Sequence, residues 1–182
     1  MKVFYTASFY GKAKYQDHYN LVLKAIKDTN SELISPEAGN YLSVLKLEDY
    51  SKIKSKKKLH YEAIRRGIVW AQAVVIEVSH EDFQLGHEAT IALQLKKPVL
   101  CLSIHEDFSK KISHPLFFGA KYNEYNIEEL ITTFIRKFEK ENLKERFNLF
   151  LSQRQLKNVE SQATKLGMNN SEYLRMLIDK NS

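Results

Sequence analysis

Two carboxylates and a glycine follow an apolar segment in the middle of the chain. Residues 73–78, AVVIEV, have the composition of a buried strand, and Asp82, Gly86 and Glu88 lie close behind them. The spacing predicts a helix over 87–96, with Glu88 in its first turn. A carboxylate placed in such a loop is a candidate for chemistry. The alternative is a solvated glutamate that the helix dipole favours.

The neighbouring segments explain how such a loop would be positioned. A second apolar segment, 99–102, follows the helix through Lys97-Pro98. A strand, a helix and a strand with both strands almost wholly apolar predict a parallel sheet covered by helices on both faces. Ligands of such sheets bind at the carboxyl ends of the strands, where loop 79–88 lies.

The rest of the first 142 residues continues the alternation of strands and helices. We predict an α/β fold with strands at 2–7, 32–35 and 123–125, and helices at 17–28, 51–70 and 127–142.

The pattern changes near residues 140–144, where we place a boundary between domains 1–142 and 143–182. Residues 146–152, RFNLFLS, alternate as a strand does. Ser152 can cap a helix that ends at Gly167, and Ser171 can cap a second helix over 172–179. One strand cannot form a sheet alone, so we expect this segment to pair with another chain.

Composition excludes several classes of protein. The net charge of +6 is too small to indicate nucleic-acid binding unaided. No apolar run is long enough for a membrane helix, and the N-terminus is too polar for a signal peptide, so we expect a cytoplasmic protein. The single cysteine, Cys101, lies in an apolar strand. No His/Cys metal spacing and no glycine-rich phosphate loop is present, and we expect neither a metal nor a cofactor.

Three segments carry a resemblance to a known family: VFYTASF at 3–9, AQAVVIEV at 71–78, and EDFQLGHEATIAL at 81–93 followed by KKPVLCL. Through them residues 1–125 resemble the nucleoside 2-deoxyribosyltransferase family, which includes the deoxynucleoside monophosphate N-glycosidases. The resemblance implies a flavodoxin-like sheet and cleavage or exchange of an N-glycosidic bond. It also implies that Glu88 attacks the anomeric carbon and that Gly86 is the glycine of the family's Gly-x-Glu.

The same resemblance implies a set of substrate-binding residues. Asp82 corresponds to an aspartate that holds the sugar 5′-hydroxyl, and its charge would repel a phosphate, which favours a free nucleoside. Ser8, Phe4, Phe9 and Tyr10 match the loop that lines the base and sugar pocket. Alternatively, Phe4 belongs to the core and Ser8 is a turn residue.

His114 corresponds to a polar residue that the family presents from a neighbouring subunit. Alternatively, it is an ordinary surface histidine beside Pro115.

Two positions depart from the family pattern. The family's auxiliary aspartate aligns with Ile64, and the nearest carboxylate, Glu62, lies two residues away on a different helix face. Glu62 is a second catalytic group only if a local shift brings it in. Gln84 stands where the family has the first glycine of its loop.

A second resemblance covers residues 143–180 and is to ribbon-helix-helix domains, a β-α-α module that dimerises. It rests on RFNLFL, on Ala163-x3-Gly167 and on Ser171-x3-Arg175. It implies that the paired strands enter the DNA major groove, where Arg146, Asn148 and Phe150 would face the bases. The alternative is a dimerisation module that does not bind DNA.

We therefore expect an enzyme that acts on the N-glycosidic bond of a (deoxy)nucleoside or nucleotide, assembled as a homodimer or a larger homo-oligomer. One alternative is a catalytically impaired DNA-binding regulator that senses nucleosides or nucleotides. Another is a defence or toxin-type effector that acts on nucleotides or on NAD.

Overall fold

The computed structural model describes residues 1–141 and 149–180, and the chain divides into two compact units, Met1–Leu143 and Lys144–Ser182. Within the described residues no helix combines the length and the apolar character that crossing a membrane requires.

The first unit is an α/β structure built on one five-stranded sheet. All of its strands are parallel, in the order β2-β1-β3-β4-β5. The strands are β1 (Lys2–Ala7), β2 (Glu32–Ile34), β3 (Ala73–Glu77), β4 (Val99–Ser103) and β5 (Phe117–Lys121). The helices are α1 (Lys12–Lys27), α2 (Leu47–Lys52), α3 (Lys56–Trp70), α4 (Phe83–Gln94) and α5 (Ile127–Glu141).

Helices cover both faces of the sheet, which explains the apolar strands. Alternate residues of β3 belong to different cores, since Val75 packs with α1 and α5 whereas Val74 and Ile76 pack with α3 and α4. All five residues of β3 and all five of β4 are buried. This burial on both sides confirms the predicted parallel sheet with helices on both faces.

The predicted edge strand at 123–125 is wrong. The fifth strand lies earlier, and residues 123–126 form the turn that begins α5. β5 has the sequence FFGAK, in which a glycine weakens the strand pattern. A side chain at Gly119 would overlap the Ser109 backbone and the Asp107 carboxylate, so close packing of the preceding loop explains this glycine.

Three helix boundaries also differ from expectation. α1 begins at Lys12 rather than at residue 17, and the predicted helix 51–70 is two helices, α2 and α3, with Ser55 capping the second. α4 begins at Phe83 rather than at residue 87. Glu88 therefore lies in the second turn of α4, not the first.

The second unit contains two helices, α6 (Gln153–Lys165) and α7 (Asn170–Lys180). Ser152 caps α6 as predicted, and Gly167 ends it with a φ of +66°. α7 is capped by Asn169 instead of Ser171, because the Asn169 side chain accepts the Glu172 backbone N–H at 2.9 Å. Of the predicted strand 146–152, residues 149–152 are not in a strand, and the others lie outside the described residues.

Candidate functional site

The candidate site lies where the chain leaves β1 and β3. β1 continues through α1 to β2 on one side of the sheet, whereas β3 lies on the other side of β1. Loops that leave two such strands diverge and open a crevice at the carboxyl ends. Ser8 follows β1 and Asp82 follows β3, and the Ser8 hydroxyl donates to Asp82 Oδ2 at 2.8 Å. This bond joins the two loops across the crevice.

Asp82 fixes the start of α4 as well as the crevice. Its Oδ1 accepts the backbone N–H of Gln84 at 2.9 Å, which makes it the N-cap of the helix. Both of its oxygens thus have donors, and Ser8 is buried beside it. The cap sets the direction of α4 and hence the position of Glu88.

Glu88 is a buried carboxylate with one unsatisfied oxygen. The residue is 1% exposed, and Gln84, one turn earlier on α4, donates its side-chain amide to Oε1 at 2.7 Å. Oε2 has no hydrogen-bond partner among the described residues. A solvated helix glutamate would have neither property, so the alternative role for this residue is contradicted.

Burial determines the acidity of Glu88. Loss of solvent raises the pKa of its carboxyl to about 7, and the negative charge of Asp82 adds to the rise, whereas the hydrogen bond from Gln84 and a weaker interaction with the Thr6 hydroxyl oppose it. Near neutral pH the group exchanges between the acid and the carboxylate. Such a shift is frequent among catalytic carboxyls.

A small pocket of about 70 Å³ lies next to Gln84, the residue that donates to Glu88, and Glu88 itself is not part of its wall. Its wall includes Thr6 and Ser8 from the end of β1, Gln84 from α4, and the exposed rings of Phe9 and Tyr10. Ligand pockets typically measure roughly 300–1,000 Å³, so a nucleoside does not fit without movement. Gln84 is in the wall and bonded to Glu88, and its side chain must turn away before a ligand reaches the carboxylate.

Phe4, Gly86 and His114 lie outside this pocket wall. Phe4 is fully buried and packs against Gly67 of α3, as a core residue does. Gly86 has open space where a side chain would be, so the fold itself does not require a glycine there. His114 is exposed, and its Nδ1 accepts the backbone N–H of Leu116.

Glu62 is also absent from the pocket wall. Its carboxylate accepts hydrogen bonds from Arg65 at 2.8 and 3.0 Å and from Arg66 at 2.7 Å. These bonds lower the pKa of Glu62 to about 2. Ile64, buried on another face of α3, lines the pocket instead. Glu62, with its pKa lowered by the two arginines, is a poor proton donor at neutral pH.

Sequence reasoning missed three polar groups in the wall. His60 lies one turn before Ile64 on α3 and faces the same pocket. Lys12 and Glu37 form an ion pair of 2.9 Å, with the Glu37 side chain 2% exposed. The spacing of four residues between His60 and Ile64 could have indicated the histidine, since such residues share a helix face. Glu37 follows a proline in an irregular segment, where no periodic pattern exists.

Sequence reasoning also missed Glu77, a fully buried carboxylate at the end of β3 on the face of α1 and α5. Its Oε1 accepts the hydroxyls of Ser79 and Tyr122, and its Oε2 accepts the Ser79 backbone N–H. Burial raises its pKa, and these hydrogen bonds oppose the rise. Glu77 therefore stabilises the loops at the strand ends, and it is not in the pocket wall.

A wider cavity, of about 830 Å³, lies near the ends of β4 and β5 on that same face. The Asn123 and Asn126 side chains in its wall are already bonded to the backbone of the turn before α5. It contains no counterpart of the unsatisfied Glu88 oxygen. In the described ranges, no three His, Cys, Asp or Glu side chains are grouped so as to hold a metal ion.

Of the three candidate DNA-contacting residues, Phe150 is 97% exposed, and Arg146 and Asn148 lie outside the described residues.

No protein-family model matches the chain, and neither does any curated protein. The fold and the site together define an α/β protein with a buried, half-satisfied carboxylate beside the crevice between β1 and β3. The function is therefore argued from that geometry.

Proposed function

We propose that the first unit cleaves or exchanges the N-glycosidic bond of a (deoxy)nucleoside or nucleotide, with Glu88 as the nucleophile. The observation that carries the proposal is the unsatisfied, buried Oε2 of Glu88 with its pKa raised to about 7. A carboxylate that accepts few hydrogen bonds keeps its negative charge on its own oxygens, where the charge can stabilise a developing cation. Departure of a base leaves such a cation at the sugar C1′.

The surroundings of Glu88 support this chemistry. The strand order 2-1-3-4-5 is that of flavodoxin-like sheets, which bind ligands at the crevice between β1 and β3. Phe9 and Tyr10 are 75% and 78% exposed at the rim, and their rings offer faces on which a base can stack. Asp82 can accept a sugar hydroxyl, and its charge disfavours a phosphate. The protein therefore acts best on a free nucleoside.

The reaction divides into two displacements at C1′. The Glu88 oxygen forms an ester bond to C1′ as the bond between C1′ and the base nitrogen breaks, and the base takes that electron pair and a proton. Water, or a second base, then attacks C1′ and releases the glutamate. Water gives hydrolysis, and a second base gives transfer.

The test is base release by Glu88→Gln and Glu88→Ala, with Glu128→Gln, an exposed residue of α5, as the matched control. Each protein is incubated with deoxynucleosides, deoxynucleoside monophosphates and NAD, with and without a second base, and free base is measured by chromatography. We expect both Glu88 variants to lose activity by at least about 10³-fold, because a nucleophile has no substitute. The control should keep the wild-type rate. Wild-type base release in Glu88→Ala would overturn the proposal.

A second function, DNA binding by a ribbon-helix-helix dimer, is favoured by the apolar surface of the second unit. Leu149, Phe150, Leu156 and Leu166 are each more than 40% exposed there. Pairing with a second copy would cover such side chains and would complete a two-stranded ribbon. Binding of duplex DNA measured at two salt concentrations tests it, since phosphate contacts make the affinity fall steeply with salt. Salt-sensitive binding without base release would make the protein a regulator.

A further inference from the structure

The chemistry proposed for Glu88 needs a second group, because most bases leave as anions unless a proton reaches them. The position of the expected aspartate holds Ile64, and Glu62 is engaged by Arg65 and Arg66. A proton donor must therefore come from another residue of the pocket wall, if the crevice is to release an ordinary base.

Five residues of that wall have ionisable side chains. Glu37 is paired with Lys12 and also accepts the Gln16 amide at 3.0 Å. Both Asp82 oxygens already accept hydrogen bonds. Tyr10 is at the exposed rim. His60 is the remaining group, and it lies one helical turn from Ile64 on the pocket face of α3.

The surroundings of His60 hold its ring in place while leaving one nitrogen available. Nδ1 lies 3.1 Å from the Tyr41 hydroxyl, and the two rings pack edge to face with centroids 5.2 Å apart. Nε2 has no hydrogen-bond partner in the described part of the chain. A histidine oriented through one nitrogen and free at the other has the arrangement of a general acid or base.

The protonation behaviour of His60 suits proton transfer. Burial lowers the pKa of His60 below its ordinary value of 6.5, so its imidazolium gives up a proton readily. The lysine and glutamate beside it in the wall neutralise each other, and Asp82 is the other acidic residue there.

We propose, on the basis of the proposed function, that His60 is the general acid that protonates the departing base from the position one turn before Ile64. In the first displacement the proton on Nε2 moves to the base as the bond between C1′ and nitrogen breaks and Glu88 bonds to C1′. In the second, the neutral imidazole takes a proton from the attacking water or second base as the ester bond breaks. The imidazolium and the free carboxylate are thereby restored.

The experiment compares two leaving groups in the full-length protein. One substrate is the 2′-deoxynucleoside that the wild-type protein cleaves fastest, whose base needs a proton to leave. The other is 1-(2-deoxyribosyl)nicotinamide, from which nicotinamide leaves as a neutral molecule without a proton. His60→Gln and His60→Ala are measured on both, with His18→Gln as the matched control, since His18 is half-buried on the opposite face of the sheet.

We expect both His60 variants to lose about 10²–10⁴-fold in kcat/KM on the deoxynucleoside, which is the range for loss of a general acid. On the nicotinamide substrate they should lose less than about threefold, and His18→Gln should match the wild type on both. Circular dichroism of each variant checks that the fold is retained.

Two outcomes would overturn the assignment of His60. Equal losses on the two substrates would mean that His60 only supports the pocket, and the absence of loss on the deoxynucleoside would mean that it has no role. Failure of the proposed function looks different, because wild-type protein would then release base from neither substrate.

Discussion

The Glu88 carboxyl is held in the protein interior with a donor on Oε1 and, among the described residues, none on Oε2. Burying a carboxylate costs free energy that a single hydrogen bond does not recover. The residue therefore opposes folding whenever it is ionised. Residues that lower stability in this way are common at catalytic sites, where function requires them.

This cost predicts a pH dependence of stability. The pKa of Glu88 is about 7 in the folded protein against an ordinary value of 4.5, so its carboxyl binds a proton more tightly when folded. The stabilisation that comes from this tighter proton binding is fully present below pH 4.5 and is lost as pH rises through 7. About three quarters of that loss in the free energy of unfolding falls between pH 5 and pH 8, and amounts to about 2–3 kcal/mol.

Glu88→Gln removes the titration but keeps the shape and the hydrogen bond to Gln84. We expect its free energy of unfolding, relative to wild type, to increase by about 2–3 kcal/mol between pH 5 and pH 8. Urea unfolding at the two pH values measures this difference, and other titrating groups cancel because both proteins contain them. Parallel pH profiles for the two proteins would show that Glu88 is not perturbed.

At the level of elements, three strand ends are tied together on the face opposite the pocket. Glu77, at the end of β3, accepts hydrogen bonds from Ser79 and from Tyr122, which directly follows β5. The Ser79 hydroxyl oxygen in turn accepts the backbone N–H of Ile104, after β4. The start of the loop that leads to Asp82 and α4 is fixed by this network.

Tyr122→Phe removes one donor from the buried Glu77 carboxylate while preserving the ring. The hydroxyl donates at 2.9 Å, and hydrogen bonds to charged groups contribute about 1.5–3 kcal/mol, so we expect a loss of that size in the free energy of unfolding. Tyr125→Phe, in the same turn but 86% exposed, is the control and should be neutral. Urea unfolding followed by intrinsic fluorescence compares the variants, and equal stability of both with wild type would contradict the role of the network.

The elements also show which features the sequence could predict. β1, β3 and β4 were predictable because strands buried on both faces are continuously apolar. The start of α4 was not, because Phe83 is 93% exposed and the apolar period begins only at Leu85. The resemblance predicts a substrate-binding role for Asp82, whereas its role as the N-cap of α4 is visible only in the structure.

In the candidate site, too, some features follow from the local sequence and others depend on tertiary packing. The resemblance predicts Glu88, but its burial comes from the packing of α4 against α3, β3 and β4, which no local pattern reports. The spacing of His60 and Ile64 on α3 indicates a shared helix face, but only the structure shows that this face lines the pocket. The ion pair of Lys12 and Glu37 joins residues 25 positions apart, at the start of α1 and after β2.

At the scale of the whole molecule, the two units differ in how well each buries its apolar residues. The first unit has two cores, one on each face of its sheet. In the described residues of the second unit, Ala163 is the one fully buried apolar side chain. A unit of this size with so little core is expected to depend on association for its stability.

Removal of the second unit tests this division of labour. Every residue of the pocket wall, together with Glu88, lies in the first unit, so a chain that ends at Glu141 should release base within about twofold of the full-length rate. Its assembly, measured by light scattering, should be smaller, and any DNA binding should be lost.

Leu156→Asp in the full-length chain places a charge on the exposed apolar surface of α6 and should reduce assembly in the same way. A folded, truncated chain without base release would show instead that the Glu88 site requires the second unit, and retention of the full-length assembly would place the self-association surface on the first unit.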